Sequence, residues 1–107
     1  MDNRYDRRRN NKHQIQNYRR LMRNAKRLKL DGAYREAELA FQNAALADNR
    51  RPEPFHMMAL MAYETGNLVS AGNHIVEATM RTENDFIIHA DCGAIMNMLG
   101  RPEEAEA

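Results

Sequence analysis

The feature that most constrains the fold is an internal repeat with a period of 34 residues. When the sequence is aligned with itself at that offset, small and apolar residues recur at the same places. The recurring sets are Gly32, Gly66 and Gly100; Ala37, Ala71 and Ala105; Ala25, Ala59 and Gly93; Phe41 and Ile75; and Ala44 and Ala78. A period of this length is typical of stacked supersecondary units that share a continuous core. We therefore expect a repeat architecture.

The composition favours helices as the building blocks of each repeat. Alanine, leucine, methionine, glutamate and arginine lose little freedom in a helix, and they outnumber valine, isoleucine and threonine. Gly32 and Gly66 are expected to adopt the left-handed conformation that ends the first helix of each pair. The predicted helices cover residues 14–30, 34–47, 53–65, 69–81, 86–99 and 102 to the end.

The residues at the repeating places resemble the tetratricopeptide repeat (TPR) family, whose pattern combines small residues at helix crossings with a turn glycine and an aromatic plug. In the first unit the matching residues include Leu21, Ala25, Leu28, Gly32, Tyr34, Ala37, Phe41 and Ala44. The resemblance implies an all-α fold, a right-handed array of antiparallel helical hairpins with about two and a half repeats. The TPR-like domain would cover residues 14–107, with units at 18–51, 52–85 and an incomplete 86–107.

The resemblance also implies a binding surface. In this family the first helix of each unit lines a concave groove that holds an extended peptide or a partner helix. The corresponding residues here are Met22, Lys26, Lys29, His56, Leu60, Tyr63, Asn97 and Met98. The expected function is a protein-interaction module, acting as a scaffold, an adaptor or a chaperone. One family activity, the binding of a peptide's C-terminal carboxylate by heat-shock co-chaperones, is excluded because four of its five positions carry Met22, Met57, Ile87 and Asp91.

The charges are divided unevenly along the chain. Residues 1–29 hold eleven basic and two acidic side chains, whereas the remainder holds five basic and thirteen acidic ones. Residues 1–13 lack apolar periodicity, so we expect a flexible Arg-rich arm there. Nucleic acid or an acidic protein is the alternative partner, because clustered basic side chains can neutralise phosphates or carboxylates. The residues predicted to contact such a partner are Arg7, Arg8, Arg9, Arg19, Arg20 and Arg23.

Two further resemblances leave the function open. The stretch from Phe86 to Ala107 is similar to the last unit of class II type III secretion chaperones, which are also small TPR proteins. The run LGRPEEAEA resembles the repeats that precede the catalytic part of glycosyltransferase-like or sulfotransferase-like enzymes. Under that alternative the chain is the N-terminal part of a larger protein.

The incomplete third unit predicts an uncovered surface. With most of its second helix missing, helix 86–99 is expected to leave an apolar face exposed, and such a face recruits a neighbour. Self-association through residues 86–99 is therefore predicted. The residues of that face are Ile88, Cys92, Ile95, Met96 and Leu99.

No motif for catalysis, for a cofactor or for a metal is recognisable in the sequence. The four histidines, His13, His56, His74 and His89, have no metal-ligand spacing, and Cys92 is the single cysteine. We therefore expect that the protein is not an enzyme and binds no cofactor. The lack of a disulfide pair and of any long apolar run predicts a cytoplasmic protein that does not contact a membrane.

Overall fold

A computed structural model describes the backbone of residues 4–100 and the side chains of residues 12–100. Within that range the protein is all-α and has no strand, as the composition predicted. The five helices are α1 (Arg4–Leu30), α2 (Tyr34–Ala47), α3 (Glu53–Glu64), α4 (Leu68–Thr79) and α5 (Phe86–Gly100). The helix predicted from residue 102 onward, with Ala105, lies outside the described residues. The chain divides into two compact units, Met1–Asn49 and Arg50–Ala107.

Helix α1 begins at Arg4, ten residues before the expected start near residue 14. Apolar residues recur at helical spacing only where a helix packs against other residues. Residues 4–13 lack that spacing, so the sequence did not predict a helix there. The arginines and Lys12 of this segment nevertheless extend an existing helix at little cost. The flexibility of residues 1–13 stays a prediction, but the backbone from Arg4 onward is helical.

The first unit is an antiparallel hairpin of α1 and α2, which pack against each other. The Gln14 side-chain amide donates a hydrogen bond of 3.0 Å to the carbonyl oxygen of Ala47. Because residues 31–33 join the other ends of the two helices, this contact requires α2 to run back along α1. Four side chains of the hairpin are completely buried, and all four lie at repeating places: Ala25, Ala37, Phe41 and Ala44.

The two interhelical turns have the same geometry, 34 residues apart. Gly32 has a φ of +79° and Gly66 a φ of +82°, so the predicted left-handed glycines are confirmed. In both turns the amide that follows the glycine donates to the carbonyl five residues earlier: Ala33 to Leu28 at 2.9 Å, and Asn67 to Ala62 at 2.8 Å. These bonds satisfy carbonyl groups at the end of the first helix of each pair, which explains why a glycine recurs at both turns.

The second unit contains three successive antiparallel helices. The guanidinium of Arg81, just after α4, lies 4.0 Å from the ring centroid of Phe55 at the start of α3, so α4 runs back along α3. Pro52 and Pro54 open α3, where an unbonded amide costs nothing, and the carboxylate of Asp85 accepts hydrogen bonds from the first amides of α5. The core is one cluster: Ala59, Ala71, Ile75, Ala78, Ile88 and Ile95.

The prediction that α5 leaves its apolar face exposed is wrong. Ile88 and Ile95 are buried, at 2% and 3% exposure, and Cys92, Met96 and Leu99 pack against the same core. A close approach of α4 and α5 makes this possible, since a Cβ added at Gly72 would lie 2.6 Å from Leu99 Cδ1. Helix α5 therefore turns its apolar side toward the helices that precede it.

The opposite side of α5 is the exposed one. Gly93 occupies the place of Ala25 and Ala59, which are fully buried, yet a Cβ at Gly93 would meet nothing within 4 Å. The large apolar side chains exposed on this helix are Phe86 and Ile87. Self-association through residues 86–99 stays a prediction, and it would have to use these residues instead of the face expected from the sequence.

Candidate functional site

Helices α3 and α5 run side by side in the same direction, because each is antiparallel to α4. Near the start of each helix, His56 Nε2 lies 2.8 Å from Asp91 Oδ2. Further along, Tyr63 of α3, two turns after His56, and Ala94 of α5, about one turn after Asp91, line the same space. The two helices therefore form the walls of a surface groove within the second unit.

The groove contains an open depression of about 210 Å³. Its lining is mainly apolar and comes from both helices: Leu60, Tyr63, Asp91, Ala94 and Ile95. The volume is below the roughly 300–1,000 Å³ of typical sites for drug-sized molecules and cofactors. The depression therefore fits one or two side chains of a polypeptide better than a complete small molecule.

A polar contact closes one end of the depression. An ionised carboxylate can only accept hydrogen bonds, so His56 Nε2 carries the proton and donates to Asp91 Oδ2 at 2.8 Å. The His56 side chain is mostly covered, whereas that of Asp91 is 36% exposed. His56 thus holds the carboxylate in one orientation at the edge of an apolar surface, where it stays accessible from solvent.

The described part of the second unit carries a net negative charge. Residues 50–100 contain six acidic side chains and three arginines, Arg50, Arg51 and Arg81. Arg81 is already engaged, because it donates to the Glu77 carboxylate at 2.7 Å and stacks on Phe55. Its charge is largely neutralised locally, and the electrostatic field of this part of the chain is negative.

Three of the predicted groove residues, His56, Leu60 and Tyr63, lie together along α3 at this site. Asn97 is exposed on α5 and Met98 is half-buried, but neither lines the depression. Ile95 was missed as a member of the site, and Asp91 appeared only as a position that argues against carboxylate binding. The sequence held a weak signal for Asp91, because it lies 35 residues after His56, close to the period of the repeat.

The groove residues predicted in the first unit differ in their exposure to solvent. Met22 is only 4% exposed, so its side chain retains almost no surface for a ligand. Lys26 is exposed on α1 and Lys29 is half-buried. This prediction is therefore corrected at Met22, and the two lysines stay candidates.

The basic residues predicted to contact an anionic partner lie on α1. Arg19, Arg20 and Arg23 are exposed, and the Arg20 guanidinium donates to the Asn17 side chain at 2.8 Å. The segment of Arg7, Arg8 and Arg9 belongs to the same helix, but these side chains lie outside the described ones. Helical backbone places Arg19 and Arg23 one turn apart on one face, where they can act together.

Cys92 and His89 do not form a reactive pair. His89 Nε2 lies 3.0 Å from the carbonyl oxygen of Thr82 and donates to it, while Cys92 packs against the core. Within residues 12–100 no group of three or more histidine, cysteine or acidic side chains is arranged to hold a metal ion. No helix in the described part of the chain has the length and apolar character needed to cross a membrane.

Comparison of the chain with protein-family models, with curated protein sequences and with solved structures finds no match.

Proposed function

We propose that this protein is a TPR-like interaction module that holds a segment of another polypeptide in the groove between α3 and α5. The observation that carries this proposal is the depression itself, which is apolar, open and small. An extended peptide or one face of a helix can place an apolar side chain on Leu60 and Ala94 while the rest of its backbone stays in solvent.

The repeat geometry supports the same proposal. Two hairpins with equivalent turns and equivalent buried residues follow each other at 34-residue intervals. In a TPR-like solenoid the first helix of each hairpin faces the groove, and the proposal assigns α3 and α5 to those places. Rigid parallel helices suit peptide binding because the walls of the site are formed before the ligand arrives.

A selection from a random peptide library, displayed on phage and panned against the protein, tests the proposal. Peptides that bind should lose about tenfold or more in affinity when Leu60→Ser removes the apolar contact, since burying a leucine contributes about 1.5–3 kcal/mol. Tyr63→Ser serves as a second variant, because Tyr63 is 44% exposed and its replacement disturbs the core less.

Val69→Ser is the matched control, because Val69 is exposed on α4 and does not line the depression. Its affinity for the selected peptides should equal that of the wild type. The proposal fails if no peptide is retained, or if every retained peptide binds Leu60→Ser and Tyr63→Ser as tightly as the wild type.

A second candidate function, binding of a polyanion through α1, is favoured by a separate observation. Arg19, Arg20 and Arg23 expose their side chains on one stretch of a basic helix. Such a surface contacts the phosphates of nucleic acid without reading its sequence. This function uses residues of the first unit.

A further inference from the structure

We infer that the polypeptide held between α3 and α5 is basic, with a lysine or arginine next to an apolar side chain. The inference rests on the proposed function and adds the chemical class of the ligand. The apolar side chain contacts Leu60 and Ala94, and the neighbouring cation pairs with the carboxylate of Asp91.

The geometry of Asp91 suits a cation. His56 occupies Oδ2 at 2.8 Å, and Oδ1 keeps its lone pairs for a donor from the ligand. At 36% exposure the carboxylate is accessible without any movement of α5. Because His56 already restricts the carboxylate, less side-chain entropy is lost when a ligand binds.

Tyr63 adds a second feature that suits a basic side chain. Its ring is 44% exposed at the edge of the same depression as Asp91. The alkyl stem of a lysine or arginine can pack on this ring while the charged end is directed toward the carboxylate. An acidic side chain in the same position would be repelled by Asp91.

The negative electrostatic field of this unit also favours a basic ligand. Residues 50–100 carry six acidic side chains against three arginines, of which Arg81 is paired with Glu77. A negative surface of this kind accelerates the approach of basic segments and disfavours acidic ones. The apolar contact and the charge therefore both favour a basic polypeptide with an apolar side chain.

The test uses the full chain and the same random peptide library. Peptides retained by the wild type should be enriched in lysine or arginine beside an apolar residue. A synthetic peptide with the enriched pair should bind Asp91→Asn about three- to tenfold more weakly than the wild type. Asp91→Glu, which keeps the charge, should retain most of the affinity.

Glu83→Gln is the control for net charge. Glu83 is exposed in the segment between α4 and α5 and does not line the depression. It removes the same charge as Asp91→Asn, so an effect smaller than about twofold would assign the loss to the local contact. Replacing the basic residue of the peptide with glutamine should mimic Asp91→Asn, and combining both changes should add little.

Four outcomes would overturn the inference. Retained peptides that are neutral or acidic, or an unchanged affinity in Asp91→Asn, would contradict the basic character of the ligand. The groove would still be a peptide-binding site. Insensitivity of every peptide to Leu60→Ser and Tyr63→Ser would remove the proposed function as well. Concentration-dependent protection of Tyr63 in the free protein would assign the groove to a second copy of the chain.

Discussion

His56 Nε2 and Asp91 Oδ2 lie 2.8 Å apart and join α3 to α5, two helices that are not consecutive in the chain. The contact is partly exposed, so its energy is limited by solvent screening and by the entropy of holding two side chains. We expect a coupling free energy of about 0.2–1 kcal/mol from a double-mutant cycle with His56→Ala and Asp91→Ala.

Guanidinium unfolding of the wild type, the two single variants and the double variant measures that coupling. The cycle cancels the gain in helix propensity from alanine, which each single variant includes. Strictly additive effects would show that the two side chains do not meet in solution.

Replacement of a glycine by alanine should lower the stability at the two turns and raise it inside α5. Gly32→Ala and Gly66→Ala force a side chain into the left-handed region and should each lower the free energy of unfolding by about 1 kcal/mol. Gly93→Ala lies inside α5 with open space around its Cβ, so it should raise stability by about 0.5–1 kcal/mol.

Thermal and chemical unfolding distinguish the two kinds of glycine. Equal effects at Gly66 and Gly93 would contradict the left-handed turn that ends α3.

Overpacking should be costly at the helix crossings of the second unit. Ala59 and Ala71 are completely buried in one cluster, and Gly72 accommodates the tip of Leu99. Ala59→Leu, Ala71→Leu and Gly72→Leu should each lower the free energy of unfolding by about 1–3 kcal/mol.

Ala90→Leu is the control for overpacking, because Ala90 is exposed on α5. Its stability should stay within about 0.5 kcal/mol of the wild type. Wild-type unfolding curves for all three buried variants would contradict the close packing of α3, α4 and α5.

The basic helix α1 should bind a polyanion in a salt-dependent way. For single-stranded RNA, each lost phosphate contact reduces the slope of log K against log salt by about 0.7, so replacing Arg19, Arg20 and Arg23 with alanine should reduce it by about 2. Changing Arg7, Arg8 and Arg9 to alanine tests the start of the helix in the same assay.

Arg35→Ala on α2 is the control for a basic side chain outside α1. Fluorescence anisotropy with labelled RNA at several salt concentrations gives the slopes. If no RNA binds even at low salt, the second candidate function is excluded and the charge of α1 serves another purpose.

Features that depend only on neighbouring residues could be predicted from the amino-acid sequence. The all-helical composition, the bounds of α2 and the glycine turns were predicted correctly, since each follows from helix propensity and from the conformational freedom of glycine. The buried repeating places, such as Phe41 and Ile75, also follow from the period of 34 residues.

The packing of α3, α4 and α5 sets which side of α5 is covered and how the groove is built. The sequence showed that Ile88, Ile95 and Leu99 share an apolar face, but not that α5 directs this face toward α4. That choice depends on Gly72, whose missing side chain admits Leu99. The pairing of His56 with Asp91 likewise requires α3, α4 and α5 to pack together, because two residues on separate helices meet only when the intervening helix sets their distance.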